Sequence, residues 1–371
     1  MSHQLRPRSE SSGGDQLKSP ERTGSRQWSP SRMNSETADI DMNDPPRLVT
    51  IETTSRCNAR CVFCPNNALS RDKGSMSTEL FEKIIEDCKQ FPLYEIEPFL
   101  QGDPFSDPQI LDRLEYIRGH LPDTRLRLYT NAYGLNERKA DRLASIGLDD
   151  LTISINTLDS ARYEAMMGIP LARTLANVEY LLSDRIRGQL GAQITLRMTC
   201  FDDTSLHEQD EFLRFCESRG VESSISGLYN YKGHIYSDLP VPSYGCEHVT
   251  RLDILVDGSV TLCCMDHNGE YGWGTARDLS VLELYNHQVA RRYRDLHRTG
   301  RREEADPCGT CNMFWPLLDG LSPEQEALTR AEFEAYVVKN VPIGRRRPSG
   351  SATLGNLHSQ QVSIGRRTGD S

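Results

Sequence analysis

Short β-rich runs alternate with amphipathic stretches from residue 47 to about residue 230. The runs predict strands, and apolar residues at intervals of three and four predict helices between them. Six such βα units in succession predict a parallel sheet, either as an open doubly wound sheet or as a partial barrel, with ligands at the carboxyl ends of the strands. Strands are predicted at 48–52, 94–100, 126–131, 151–156, 194–199 and 224–229, and helices at 78–90, 107–119, 137–146, 173–184 and 205–218.

The pattern changes after residue 240. Apolar runs at 253–256 and 259–262 flank Asp257-Gly258, which predicts a β-hairpin, and helices are predicted at 280–298 and 323–339. These elements predict a small second module over residues 240–340. The flanking segments 1–45 and 342–371 are rich in Ser, Arg, Pro and Gly without apolar periodicity, so both are expected to be disordered tails.

Charge argues against a nucleic-acid-binding protein. The net charge of −10 divides into about −1 before residue 46, about −13 in the centre and about +4 in the basic tail after residue 340. An acidic centre repels a phosphate backbone. The basic tail is expected to be solvated, although it could touch an anionic partner.

The 371 residues contain neither a run of apolar residues as long as a membrane span nor an apolar signal core at the N-terminus. We therefore expect a cytoplasmic protein without a membrane partner. In a reducing compartment, the eleven cysteines are expected to be metal ligands or buried thiols rather than disulfides.

Three of these cysteines form a compact motif, Cys57, Cys61 and Cys64, on a polar loop directly after the first predicted strand. A zinc site would need a fourth local ligand, yet neither His nor Cys occurs between Cys64 and Cys88. Three thiolates suit three corners of a [4Fe–4S] cluster, whose fourth iron stays open to another ligand.

With the aromatic Phe63 before the last cysteine, this motif resembles the Cys-x3-Cys-x-aromatic-Cys signature of the radical S-adenosylmethionine (SAM) superfamily, over about residues 47–232. The resemblance implies a partial (β/α)6 TIM-type barrel at 46–235. It also implies that SAM binds the open iron, that an electron donor such as flavodoxin or ferredoxin reduces the cluster, and that cleavage of SAM gives a 5′-deoxyadenosyl radical.

The resemblance also assigns SAM contacts. Gly102 and Asp103 stand at the family's Gly-Glu-Pro loop, which meets the SAM amino group, with Asp in place of the usual Glu. Arg197, on the fifth strand, could pair with the SAM carboxylate. Strand ends where the family places ribose and methionine contacts carry Asn131, Ser154 and Asn156.

A second group of cysteines lies in the C-terminal module. Four thiolates could hold zinc or a second [4Fe–4S] cluster, and their spacing does not separate the two. The arrangement resembles the auxiliary-cluster modules named SPASM and twitch, and too few cysteines follow residue 240 for more than one auxiliary cluster. The expected ligands are Cys246, Cys263, Cys308 and Cys311, with Cys264 as the rival of Cys263.

A fully ligated second cluster has no place for SAM, so we expect it to accept an electron from a substrate radical. Oxidation of an alcohol also needs a general base. The candidates are Lys232 and His234 on the loop after the sixth strand and the inward strand positions Glu52 and Glu97. Buried thiols are expected at Cys88, Cys200 and Cys216.

Length and cysteine spacing resemble single-auxiliary-cluster enzymes of antibiotic pathways, among them 2-deoxy-scyllo-inosamine dehydrogenase and cytosylglucuronate decarboxylase. The resemblance implies a small, polar, hydroxylated substrate that is oxidised at an alcohol or decarboxylated. Two alternatives stay open at this stage: a maturase of a ribosomal precursor peptide, and a non-catalytic zinc protein.

Overall fold

Strands and helices alternate in the computed structural model, which describes residues 44–201 and 203–341. Nearly all of the two predicted tails, residues 1–43 and 342–371, lies outside the described residues. The strands are β1 (Leu48–Ile51), β2 (Glu95–Glu97), β3 (Arg125–Thr130), β4 (Asp150–Ser154), β5 (Gln193–Cys200), β6 (Glu222–Gly227), β7 (Leu252–Ile254) and β8 (Val260–Thr261).

Helices connect these strands, and two of them have no counterpart in the sequence prediction. The helices are α1 (Thr78–Cys88), α2 (Ile110–His120), α3 (Glu137–Leu143), α4 (Ser160–Met167), α5 (Leu171–Leu181), α6 (Asp184–Leu190), α7 (Leu206–Ser218), α8 (Val281–Tyr285), α9 (Gln288–Arg298) and α10 (Pro323–Asn340). The short helices α4 and α6 were missed because too few apolar positions repeat within one or two turns.

One predicted helix, at 280–298, is two helices. A capping box at Ser280 begins α8, and the side chain of His287 caps the first turn of α9 by accepting from the N–H of Val289. The break between α8 and α9 lets the chain turn between two buried apolar faces.

The sheet order is β6-β5-β4-β3-β2-β1-β7-β8, and β1 to β6 are parallel throughout. This is the expected α/β partial barrel. The predicted hairpin exists as the antiparallel pair β7 and β8, but β7 also pairs in parallel with β1. The second module therefore extends the barrel sheet instead of forming a sheet of its own.

Apolar side chains bury the sheet on its helical side. Helix α1 is an example. Ser77 caps its first turn by accepting from the N–H of Leu80, and its apolar face packs into the core through Phe81, Ile84 and Ile85. The main core continues into α8 and β7. A separate aromatic cluster joins the segment after β6 to α10 through Tyr229, Tyr244, Phe314, Phe333 and Tyr336.

None of the helices in the described part of the chain is long and apolar enough to cross a lipid bilayer.

Candidate functional site

A cavity of about 670 Å³ runs through the barrel to the carboxyl ends of its strands. Its volume is typical of a site for a small molecule or cofactor. The three-cysteine loop forms one wall, and the segment 315–321 before α10 contributes another. Sequence-predicted residues that line it are Cys57, Cys61, Phe63, Cys64, Glu97, Gly102, Asp103, Asn131, Ser154, Asn156 and Arg197.

Internal hydrogen bonds hold the three-cysteine loop between β1 and α1. The side chain of Asn66 donates to the carbonyls of Ser55 and Gln101, each at 2.8 Å. The N–H groups of Arg60 and Val62 donate to carbonyls at the end of α4 at 2.8 and 2.9 Å. The unpredicted helix α4 therefore fixes the loop that carries the cysteines.

The three thiols fit the cationic core of an iron–sulfur cluster. Burial, with a contribution from Asp103, raises the pKa of Cys57 to about 12, and burial and the other two thiols raise the pKa of Cys61. Such thiolates need a neighbouring cation to be stable, and iron supplies it. Nowhere in residues 44–201 and 203–341 do three His, Cys, Asp or Glu side chains lie close enough for a single ion. The thiolates of an iron–sulfur cluster each bind a different iron, so they lie farther apart than the ligands of a single ion. The separation of the three thiols is therefore compatible with a cluster.

Gly102 lies at the point where the β2 loop passes under the three-cysteine loop. A Cβ atom at this position would overlap the carbonyl oxygens of Thr54 and Arg56. Only glycine lets the two backbones approach this closely. The Gly102 backbone therefore lies directly beside the proposed cluster ligands and faces the cavity.

Asp103 ties this loop to the end of β3. Its carboxylate accepts from the N–H of Phe105 at 3.0 Å, from the hydroxyl of Thr130 at 2.9 Å and from the N–H of Asn131 at 2.9 Å. Burial raises the pKa of Asp103, and these hydrogen bonds oppose the increase. The structure therefore gives Asp103 a scaffolding role in addition to its place on the cavity wall.

We expect Asp103→Asn to destabilise the protein by about 1–3 kcal/mol, because the amide leaves one of three buried donors without an acceptor. Denaturant titration of the free energy of unfolding measures the effect. The matched control is Asp72→Asn, which changes an exposed acid of the same region and should alter stability little. Equal stabilities for the two variants would contradict the scaffolding role.

The remaining strand-end residues converge on the same cavity. The amide of Asn131 donates to Asn58 at 2.7 Å, within the three-cysteine loop, and the amide of Asn156 contacts the sulfur of Met167 at 3.1 Å. The guanidinium of Arg197 donates to Ser226 at 3.2 Å. Phe63 packs edge-to-face on Phe201 with ring centroids 5.0 Å apart.

The second group of cysteines assembles beside the cavity. Burial raises the pKa of Cys263, and so do the neighbouring thiols of Cys264, Cys311, Cys308 and Cys246. Cys263 packs against the buried cluster that contains Cys246 and Cys311 and against the one that contains Cys308, whereas Cys264 packs only against the first. Cys264 lines the cavity, and its sulfur lies 3.2 Å from Nδ1 of His248.

This geometry favours Cys263 over Cys264 as a ligand. We expect Cys263→Ala to lower the iron content by about four per chain, since a cluster of this kind rarely survives the loss of a ligand, and Cys264→Ala to keep it. Iron and sulfide analysis after anaerobic reconstitution measures both variants. Loss of iron from Cys264→Ala alone would reverse the assignment.

A buried arginine that no sequence pattern predicted, Arg302, organises the Cys308–Cys311 loop. Arg302 is buried and donates to the carbonyls of Cys308 and Cys311, at 3.2 and 2.6 Å, and also to those of Tyr244 and Met313. Its charge lowers the pKa of Cys246 and Cys308 against the larger effect of burial. Nothing in the sequence distinguishes Arg302 from the arginines just before it, such as Arg298 and Arg301.

Of the candidate bases, Glu97 lines the cavity and the others do not. Lys232 and His234 are absent from the cavity lining; the ammonium of Lys232 pairs with Asp266 at 2.5 Å and Glu270 at 3.1 Å. Their role as bases therefore stays a prediction, which the cavity lining does not support. Glu52 pairs with Arg71 at 2.5 Å. Glu97 does face the cavity, 3.5 Å from Arg127.

Other cavity residues were also missed. They lie on inward positions of the strands or on the segments between the barrel and the second module, where no short motif marks them. These residues are Arg127, Tyr129, Tyr229, His248 and Arg251. Burial lowers the pKa of His248.

Comparison with known families agrees with this geometry. Residues 51–216 match the radical SAM superfamily, and residues 246–312 match the SPASM family, an iron–sulfur cluster-binding domain. The matched segments contain the two cysteine groups. The first implies SAM and a [4Fe–4S] cluster as cofactors, and the second implies auxiliary iron–sulfur binding.

Individual relatives have different activities. A cofactor-modifying protein for tungsten-containing aldehyde ferredoxin oxidoreductase from Pyrococcus furiosus is 30% identical over 131 residues, which cover 35% of this chain and 36% of that protein. The SAM-dependent 2-deoxy-scyllo-inosamine dehydrogenase of Niallia circulans is 18% identical over 71% of this chain and 92% of its own. Streptococcus suis SuiB bound to its precursor peptide SuiA has the same fold, with a TM-score of 0.58 and 15% identity, covering 73% of this chain and 71% of that one.

Proposed function

The chain carries a radical SAM domain at residues 51–216 and a SPASM domain at residues 246–312, and from this premise we propose that it oxidises or decarboxylates a small polyhydroxylated molecule. The substrate class is a sugar, an aminocyclitol or a sugar nucleoside of an antibiotic-type pathway. The similarity to 2-deoxy-scyllo-inosamine dehydrogenase supports this class.

One observation carries the proposal: a single cavity has the three-cysteine loop on one wall and Cys264, next to the proposed ligand Cys263, on another. A molecule in this space lies between the two metal-binding groups. Hydrogen abstraction on one side and electron acceptance on the other are then both within reach of one substrate.

The cofactors supply the radical chemistry, since SAM bound at a reduced [4Fe–4S] cluster yields the 5′-deoxyadenosyl radical that takes a hydrogen atom from the substrate. This chain would hold the cluster through Cys57, Cys61 and Cys64. Gly102 and Arg197 would contact SAM, together with Asn131, Ser154 and Asn156. We propose a single auxiliary cluster held by Cys246, Cys263, Cys308 and Cys311.

The lining suits a polar substrate. Glu97, Arg127 and Tyr129 present hydrogen-bonding groups from β2 and β3, and Arg251, directly before β7, adds a guanidinium. In alcohol oxidation, a base such as Glu97 would accept the hydroxyl proton of the substrate once its carbinol hydrogen is lost as an atom. The auxiliary cluster, when bound, would supply the acceptor for the remaining electron. In decarboxylation, Arg251 would instead hold the carboxylate of a uronic acid.

We propose that a flavodoxin or ferredoxin delivers the initiating electron and that the protein works in the cytoplasm. Reduced clusters with an open iron react with oxygen, and a reducing compartment protects them.

Anaerobic turnover with SAM and a reductant tests the proposal. Deuterated aminocyclitols, sugars and uronic acid nucleosides should transfer deuterium to 5′-deoxyadenosine. A product lighter by two mass units indicates oxidation, and released carbon dioxide indicates decarboxylation. Deuterium transfer from none of these substrates would reject the proposed substrate class.

A second candidate is maturation of a ribosomal precursor peptide, which the likeness of fold to SuiB favours. The same assay separates the two. A precursor peptide that induces SAM cleavage and gains a crosslink or an inverted centre, where the sugars do not react, would select this candidate.

A further inference from the structure

Four arginines of the described residues are almost completely buried, and one of them differs from the others. Arg113 faces Asp107 at 3.1 Å, Arg127 faces Glu95 at 3.0 Å, and Arg294 faces Asp44 at 3.7 Å. Arg302, only 2% exposed, has no carboxylate within ion-pair distance anywhere in residues 44–201 and 203–341. A buried guanidinium without a counterion is strongly destabilising.

Carbonyl groups satisfy the donors of Arg302 but not its charge. Its side chain donates to four carbonyls, and two of them belong to the proposed ligands Cys308 and Cys311. The other two carbonyls, those of Tyr244 and Met313, stand two residues from the proposed ligands Cys246 and Cys311 in the sequence, so the guanidinium lies against the backbone that carries these cysteines. The negative charge that balances Arg302 must therefore come from the thiolates and from whatever they bind.

We propose that Arg302 is the countercharge of the auxiliary iron–sulfur cluster and that it raises the reduction potential of this cluster. A [4Fe–4S] cluster with four thiolates is anionic and gains one further negative charge on reduction. A fixed positive charge beside it therefore stabilises the reduced form more than the oxidised form. This inference rests on the proposed function and deepens it, because a higher potential suits a cluster that accepts an electron from a substrate radical.

Redox titration of the auxiliary cluster, followed by electron paramagnetic resonance, tests the proposal. The full chain is used with Cys57, Cys61 and Cys64 replaced by Ala, so that only the auxiliary cluster contributes to the signal. Arg302→Met removes the charge at similar volume, Arg302→Gln keeps amide donors for the carbonyls, and Arg302→Lys keeps the charge. The matched control is Arg294→Met, which removes a buried arginine without a cysteine neighbour.

We expect Arg302→Met and Arg302→Gln to lower the ratio of reduced to oxidised cluster at least tenfold at the wild-type midpoint potential. This corresponds to a fall of about 59 mV in the reduction potential for one electron. Arg302→Lys and Arg294→Met should keep that ratio within about threefold of wild type. Unchanged potentials in the Met and Gln variants overturn the inference. If neither retains a cluster, Arg302→Lys decides: a retained potential supports the role of the charge, and a tenfold fall in the ratio overturns it.

The failure of this inference differs from the failure of the proposed function. Wild-type protein without an auxiliary cluster after reconstitution overturns both. An intact auxiliary cluster whose potential does not respond to the charge at position 302 overturns only the role of Arg302.

Discussion

Replacement of Cys61 by alanine should abolish the formation of 5′-deoxyadenosine and remove about four irons per chain. The reason is geometric: Cys57, Cys61 and Cys64 converge on one cavity wall, and two thiolates do not hold a cube that needs three. Anaerobic reconstitution followed by iron analysis, and then chromatography of the nucleoside after reduction with SAM present, measures both effects.

The matched control is Cys88→Ala. Cys88 is fully buried in the apolar core on α1, and its removal should cost about 1 kcal/mol of stability and leave SAM cleavage intact. Retained cleavage in the Cys61 variant, at a rate comparable with that of the Cys88 variant, would contradict the assignment of the cluster ligands.

The barrel could be predicted from the sequence because each of the strands β1 to β5 is a short β-rich run followed by a helix. The predicted strand 94–100 has only three residues, Glu95–Glu97, in the sheet. The reason is that the chain leaves the sheet to form the loop with Gly102, where two backbones nearly touch. Local patterns do not record such tertiary contacts.

The attachment of β7 to β1 could not be predicted, because pairing between strands about 200 residues apart leaves no local signal. The same limit applies to the site. Cysteines stand out by their spacing, whereas the buried side chains of Arg302 and Asn312, which fix the Cys308–Cys311 loop, are common residue types in unremarkable surroundings. Lys232 was a candidate base on the loop after the sixth strand, but its ammonium pairs with Asp266, a buried acid 34 residues later, and it does not line the cavity.

Replacement of Cys308 by alanine should separate the two halves of the reaction. Cys308 is buried and does not line the cavity, so the change should leave the SAM site intact and remove only a proposed ligand of the auxiliary cluster. We expect continued cleavage of SAM without product, because the substrate radical loses its electron acceptor.

Two measurements on one sample check this expectation: 5′-deoxyadenosine formed and product formed, each per chain. The coupling ratio of product to nucleoside should fall at least about tenfold, equivalent to about 1.4 kcal/mol in the partition of the radical. Cys216→Ala is the control, since this thiol lies on α7 and is buried in the main core. Its replacement should leave the ratio unchanged. Equal coupling in the Cys308 and Cys216 variants would mean that the electron leaves the substrate by another route, and the auxiliary module would then serve to shape the cavity rather than to carry charge.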